Sequence, residues 1–194
     1  MALLTASGLS VGRGDRRLLS GLCFAVEPGD VLHLRGRNGI GKSSLIEVLV
    51  GLRPPLAGTV QRPAFSDWHW IGHRNALNAE LGVADNLLHW CRLQGLGQPA
   101  LRPALERLGL ERLQRRPVRT LSAGQKRRAA LARLLVDPRP LWLLDEPLSG
   151  LDAQGVALLG ELLVEQVAAD GAVVITSHQK LPGRLARLRV MELR

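Results

Sequence analysis

Residues 36–44 read Gly36-Arg37-Asn38-Gly39-Ile40-Gly41-Lys42-Ser43-Ser44, with four residues between the outer glycines and Lys-Ser immediately after. Glycines permit backbone dihedrals closed to other residues, so successive amide N–H groups can converge on phosphate oxygens. A short apolar stretch, 31–34, precedes the loop, and a helical pattern, 43–52, follows it. Strand, glycine loop and helix in that order are the context a phosphate-binding loop requires. The helix N-terminus adds a partial positive charge and Lys42 a full one. The hydroxyl of Ser43 suits Mg²⁺ and that of Ser44 can reach an α-phosphate.

The remainder of the chain must supply a sheet to carry that loop. Short strands are expected at 2–11, near 22–26, at 31–34, within 56–63 and at 67–72, with Glu27-Pro28-Gly29-Asp30 as a tight turn. Helical spacing begins at Val83 and again over 101–108, with 95–99 between them, and a third helix covers 126–136. Leu141-Trp142-Leu143-Leu144 is apolar on both faces, as in a buried parallel strand. A helix is expected at 153–169, and 172–176 repeats the buried-strand pattern. Strands alternating with helices, with motifs at strand ends, define an open parallel α/β sheet.

Two acids, Asp145 and Glu146, follow the buried strand directly. An aspartate there can hold Mg²⁺ and the glutamate can orient and polarise an attacking water. His178, after the next strand, can donate to a phosphoryl oxygen as charge develops.

At 194 residues the chain suits one domain. The net charge of +9 comes almost wholly from arginine, since Lys42, Lys126 and Lys180 are the only lysines. With two Phe and no Tyr, the aromatics needed to stack bases are scarce, so direct nucleic-acid binding is not expected. Cys23 and Cys91 match no metal spacing and are expected to be buried free thiols. No apolar run reaches the ~18 residues of a membrane span, and the start lacks a signal-peptide pattern. A cytoplasmic location is therefore expected, with membrane association through a partner.

The set of motifs resembles the ATP-binding cassette ATPases. Residues 36–43, Leu121-Ser122-Ala123-Gly124-Gln125, residues 141–146, Ser149-Gly150-Leu151-Asp152 and His178 stand in that family's order and spacing. They match its Walker A loop, signature motif, Walker B strand with glutamate, D-loop and switch histidine. The resemblance implies a P-loop cassette with a mainly parallel central sheet, an antiparallel β subdomain and a small helical subdomain at roughly 75–137 inserted in a single 1–194 domain. It implies ATP and Mg²⁺ as cofactors and a head-to-tail homodimer. In that dimer Ser122, Gly124 and Gln125 of one copy face the nucleotide bound by the other, and Asp152 links the two sites. Lys42, Glu146 and His178 would then be catalytic, with Ser43 and Asp145 on the metal.

In the family an aromatic residue usually stacks on adenine, and its position falls near Arg13, whose guanidinium plane can also stack. His73 occupies the position of a glutamine that senses Mg²⁺ and is, with Ser43 and Asp145, a candidate metal-contacting residue. The string Trp70-Ile71-Gly72-His73, the run Lys126-Arg127-Arg128, Trp142 to Pro147 and the short length resemble one subfamily. It is the CcmA-type ATP-binding subunit of the cytochrome c maturation haem exporter, whose members carry glutamine where this chain has Arg74. Such a subunit would sit peripherally on the cytoplasmic side of the inner membrane, bind integral permease subunits and never touch the cargo. Trp68, Trp70 and Trp90 are candidate anchors for the membrane partner or plain core residues. Alternatives are the ATPase subunit of another importer or exporter, a soluble cassette ATPase acting on nucleic acid, and a nucleotide-binding module without turnover; Glu146 argues against the last.

Overall fold

A computed structural model describes residues 1–14, 16–97 and 99–194. Gln98, within the expected 95–99 connection, and Asp15 lie outside the described residues. The chain forms two compact units, 1–73 with 139–147 and 159–194, and 74–138 with 148–158.

The first unit is built on five parallel strands. They are β3 (Val31–Arg35), β5 (Trp68–Ile71), β6 (Leu141–Asp145), β7 (Ala172–Thr176) and β8 (Leu188–Glu192), in the order β5-β6-β7-β3-β8. All residues of β6 and β7 are buried, which is why neither shows an apolar-polar alternation. Side chains alternate faces along each strand. Leu32 and Leu34, Leu141 and Leu143, and Ala172 and Val174 therefore share one face, where they join Leu45, Ile46 and Leu49 of α1 (Lys42–Leu49) in an apolar cluster. That cluster continues into a three-stranded antiparallel sheet of β1 (Leu4–Arg13), β2 (Arg16–Val26) and β4 (Ala57–Gln61), ordered β2-β1-β4.

The structure departs from the sequence expectations at three points. The second strand begins at Arg16, not near Leu22, because β1 and β2 form one long hairpin in which Arg13 pairs with Arg16. Irregular pairing between Ala6 and Gly12 breaks the period of two that would have revealed it. Strand β8 was not expected at all; it lies at the sheet edge beside β3, mostly exposed, so burial wrote no apolar pattern into it. Cys23 is exposed on β2, and only Cys91 is a buried thiol.

The second unit contains α2 (Val83–Leu93), α3 (Leu101–Arg107), α4 (Ala123–Val136) and the first residues of α5 (Ala153–Ala168). Two buried arginines of α4 meet at one residue: Arg127 Nη1 donates to Asn75 Oδ1 (3.1 Å) and Arg133 Nη2 to the Asn75 carbonyl (2.8 Å). Burial, aided by the like charge of Arg127, lowers the Arg133 guanidinium to about 10, so it still carries its proton near neutrality. Among the described residues no helix is long and apolar enough to cross a membrane.

Candidate functional site

Parallel strands bring their C-terminal ends to one edge, and the register aligns them closely. Leu34 pairs with Thr176 and Asp145 pairs with Thr176, so the loop after β3, the acids after β6 and the Ser177-His178 pair after β7 emerge together. Asp145 and Thr176 fall on the α1 face of the sheet by the same alternation that places Leu143 and Val174 there.

The glycine loop has the backbone its composition requires. Gly39 and Gly41 adopt φ +78° and +117°, and a Cβ on Gly41 would stand 3.0 Å from Leu18 Cβ. Gly41 is the N-cap of α1, with no side-chain cap. The helix therefore presents its first amides to whatever anion binds there. Ser43 is exposed and Ser44 buried on the first turn. Lys42 is 6% exposed; its Nζ donates to the carbonyls of Gly36 (2.9 Å) and Arg37 (3.4 Å).

Glu146 and His178 converge on the same ammonium. Lys42 Nζ is 3.5 Å from Glu146 Oε1 and 3.2 Å from His178 Nε2, and that Nε2 is 3.1 Å from Glu146 Oε1. An ammonium only donates, so its hydrogen bond requires Nε2 to be the unprotonated nitrogen. Glu146 Oε1 is shielded from solvent but accepts no well-directed hydrogen bond among the described residues. The Glu146 backbone turns left-handed at φ +47°, a conformation that costs a non-glycine residue about 1–3 kcal/mol. Buried Asp145 accepts from Thr176 Oγ1 at 2.8 Å, and the same hydroxyl accepts from the Glu146 amide at 2.8 Å.

Behind this edge, buried His33 of β3 lies with Nε2 3.1 Å from the Ser177 carbonyl. A carbonyl only accepts, so Nε2 carries the proton there. Burial lowers its pKa below 6.5, with the Ser177 hydrogen bond opposing that shift. Sequence reasoning passed over both Thr176 and His33, whose neighbours are strand partners remote in the chain.

Not every expected residue joins the cluster. His73 is exposed just beyond β5. A cavity of about 280 Å³ beside the loop is lined by Arg16, Arg17, Leu18 and residues 37–40; Arg13 is not among its lining. Arg16 and Arg17 were missed because β2 was expected to begin later.

The second unit carries the other motif residues. Ser122 is the N-cap of α4 in a capping box: its Oγ accepts from the Gln125 amide (3.2 Å), and Gln125 Oε1 accepts from the Ser122 amide (2.9 Å). Gln125 thereby has a structural partner, and the Ser-x-x-Gln spacing was the available signal. Gly124 is glycine for an internal reason, since a Cβ there would stand 2.9 Å from the Gly150 carbonyl oxygen. Asp152 Oδ1 accepts from the Gly155 amide (2.8 Å) at the start of α5.

A phosphate loop at the edge of a parallel sheet, with a lysine, a paired acid and a histidine at adjoining strand ends, defines a P-loop nucleotide hydrolase. A profile of the ABC transporter family matches residues 19–149. The chain is 43% identical over 193 residues to the cytochrome c biogenesis ATP-binding export protein CcmA of Rhodobacter capsulatus, covering 100% of this chain and 88% of that protein. Against the protein of the same name from Novosphingobium aromaticivorans it is 45% identical over 194 residues, covering 98% and 95%. A putative ABC transporter ATP-binding protein from Pyrococcus furiosus superposes with a TM-score of 0.85 at 25% identity, covering 98% of this chain and 96% of that one. The chain belongs to the ABC transporter family, as an ATP-binding, ATP-hydrolysing subunit.

Proposed function

We propose that this ATPase drives a membrane complex of cytochrome c biogenesis and haem export. What carries the reading is identity of 43% and 45% to two CcmA proteins over nearly the whole length of each chain. The chain would act as one cassette, with a helical lobe near 75–137, on the cytoplasmic face of the membrane. It would contact permease subunits and not the cargo, and the exposed Trp70 and half-buried Trp90 are better anchor candidates than buried Trp68.

In the proposed mechanism the 36–44 loop and Lys42 bind the β- and γ-phosphates. Glu146 Oε1 orients the attacking water, and the short reach from Glu146 to Lys42 and His178 supports that assignment. His178 donates to the γ-phosphate once Nε2 bears a proton, so it leaves Lys42 when the substrate is engaged. Mg²⁺ suits the Ser43 hydroxyl and the Asp145 carboxylate, because it prefers a few oxygen donors and retains water; bound, it would neutralise developing phosphoryl charge. The nitrogen of His73 is a poorer donor for that ion, and a role there would be through hydrogen bonding. Arg13, Arg16 and Arg17 are the candidates for contacting the base side of the nucleotide. Ser122, Gly124 and Asp152 act in a head-to-tail pair, where the α4 N-terminus faces the partner's triphosphate.

The test is removal of the chain from its host, with covalently attached haem in c-type cytochromes as the readout. Those cytochromes should vanish, return with the parent chain, and stay absent with Lys42→Ala. Normal c-type cytochromes without the chain would assign it to another transporter.

A further inference from the structure

Thr176 closes β7 and is 0% exposed, so its hydroxyl has no access to water and its partners must come from the protein. Both are at hand. The hydroxyl donates its one hydrogen to Asp145 Oδ1 at 2.8 Å and accepts from the backbone amide of Glu146 at 2.8 Å. A hydroxyl has one hydrogen, so the donation to Asp145 fixes its rotation and aims a lone pair at the amide. One side chain therefore holds two consecutive acids from a different strand, and the amide it holds belongs to the residue whose backbone turns left-handed at φ +47°.

We infer that Thr176 is a positioning residue for ATP hydrolysis, setting the carboxylate of Asp145 and the turn at Glu146 through a single hydroxyl. The inference rests on the roles proposed above for those two acids. The direction of the Glu146 side chain is decided by its own backbone, so an anchor on its amide aims its carboxylate. Lys42 and the glycine loop bind phosphate without help from Thr176; its loss therefore acts on turnover and spares nucleotide binding. A misplacement of about 1 Å can cost on the order of a hundredfold in rate.

Three variants test it in steady-state ATPase assays of the full chain. Thr176→Val keeps the shape and deletes the hydroxyl; kcat should fall about 10- to 100-fold with KM for ATP within about threefold of the parent. Thr176→Ser keeps the hydroxyl and loses one methyl group; kcat should recover to within about threefold. Thr176→Ala, also lacking the hydroxyl, gives the same reading should the valine variant fail to fold. A turnover unchanged in the valine or alanine variant overturns the inference, as does a serine variant as slow as either, or a loss confined to KM. Glu146→Gln is assayed beside them. If it is inactive while Thr176→Val is not, only the positioning role falls; if it hydrolyses at the parental rate, the role given to Glu146 falls first.

Discussion

His178 Nε2 stands 3.1 Å from Glu146 Oε1, and Lys42 Nζ lies within 3.5 Å of that oxygen. A cation, a carboxylate and an imidazole are thus gathered from α1 and the ends of β6 and β7. Because Nε2 can accept from Lys42 or donate to a phosphate but not both, the role proposed for His178 requires these contacts to be redistributed when ATP binds.

Removing the base is the first consequence. Glu146→Gln keeps size and polarity but cannot take a proton. ATP turnover should fall at least a hundredfold, within the range of about 10²–10⁴ for general-base loss. ATP binding should persist, measured by equilibrium binding of a fluorescent ATP analogue.

Lys42→Ala should act on the other parameter. The ammonium supplies the full charge that the loop directs at phosphate, so binding of the same analogue should fall by tenfold or more, about 1.4 kcal/mol. Tm should change little in comparison, since Gly36 is half-buried and Arg37 exposed, which lets water replace the lost donor.

The glycine loop, the acids after the 141–144 run and the histidine after 172–176 are legible in the sequence because each rests on spacing within a few residues. Thr176 and His33 are not. Their importance arises from register between strands remote in the chain, 31 residues apart for Thr176 and Asp145 and 144 for His33 and Ser177, whose contact is 3.1 Å. Strand β8 is equally silent, because an exposed edge needs no apolar alternation. Gln125 is legible in a different sense, as the fourth position of a capping box, but the phosphate reading draws attention away from it.

Gly124 offers a test of structure apart from chemistry. Alanine there would place a Cβ 2.9 Å from the Gly150 carbonyl oxygen, a contact with backbone that cannot yield cheaply. Gly124→Ala should lower stability by about 1–3 kcal/mol, read as a lower midpoint in denaturant with an unchanged slope.

The base side of the nucleotide can be apportioned by kinetics. Arg16 and Arg17 line the cavity beside the loop and Arg13 does not. Replacing Arg16 and Arg17 together by alanine should raise KM for ATP about 3- to 10-fold with little change in kcat, the sign of lost uniform binding. Arg13→Ala should leave KM within about twofold if stacking is shared by its neighbours.

Acidity should weaken the first unit through His33. Folding lowers its pKa by burial, so the unfolded chain binds the proton first as pH falls below 6.5. Stability is then lost from that point down to the lowered folded value, and above 6.5 this residue contributes no slope. In thermal melts across that interval, His33→Gln, which retains a donor for Ser177, should show a shallower decline of Tm with falling pH than the parent.

The proposed composite site is tested most directly by light scattering of Glu146→Gln in ATP and Mg²⁺. A dimer is expected with ATP and a monomer without it. Adding Ser122→Asp keeps a good N-cap on α4 but sets a carboxylate against the partner's triphosphate, so the dimer should disappear while Tm holds. A Glu146→Gln chain that binds ATP and stays monomeric, or a dimer indifferent to the aspartate, would contradict it.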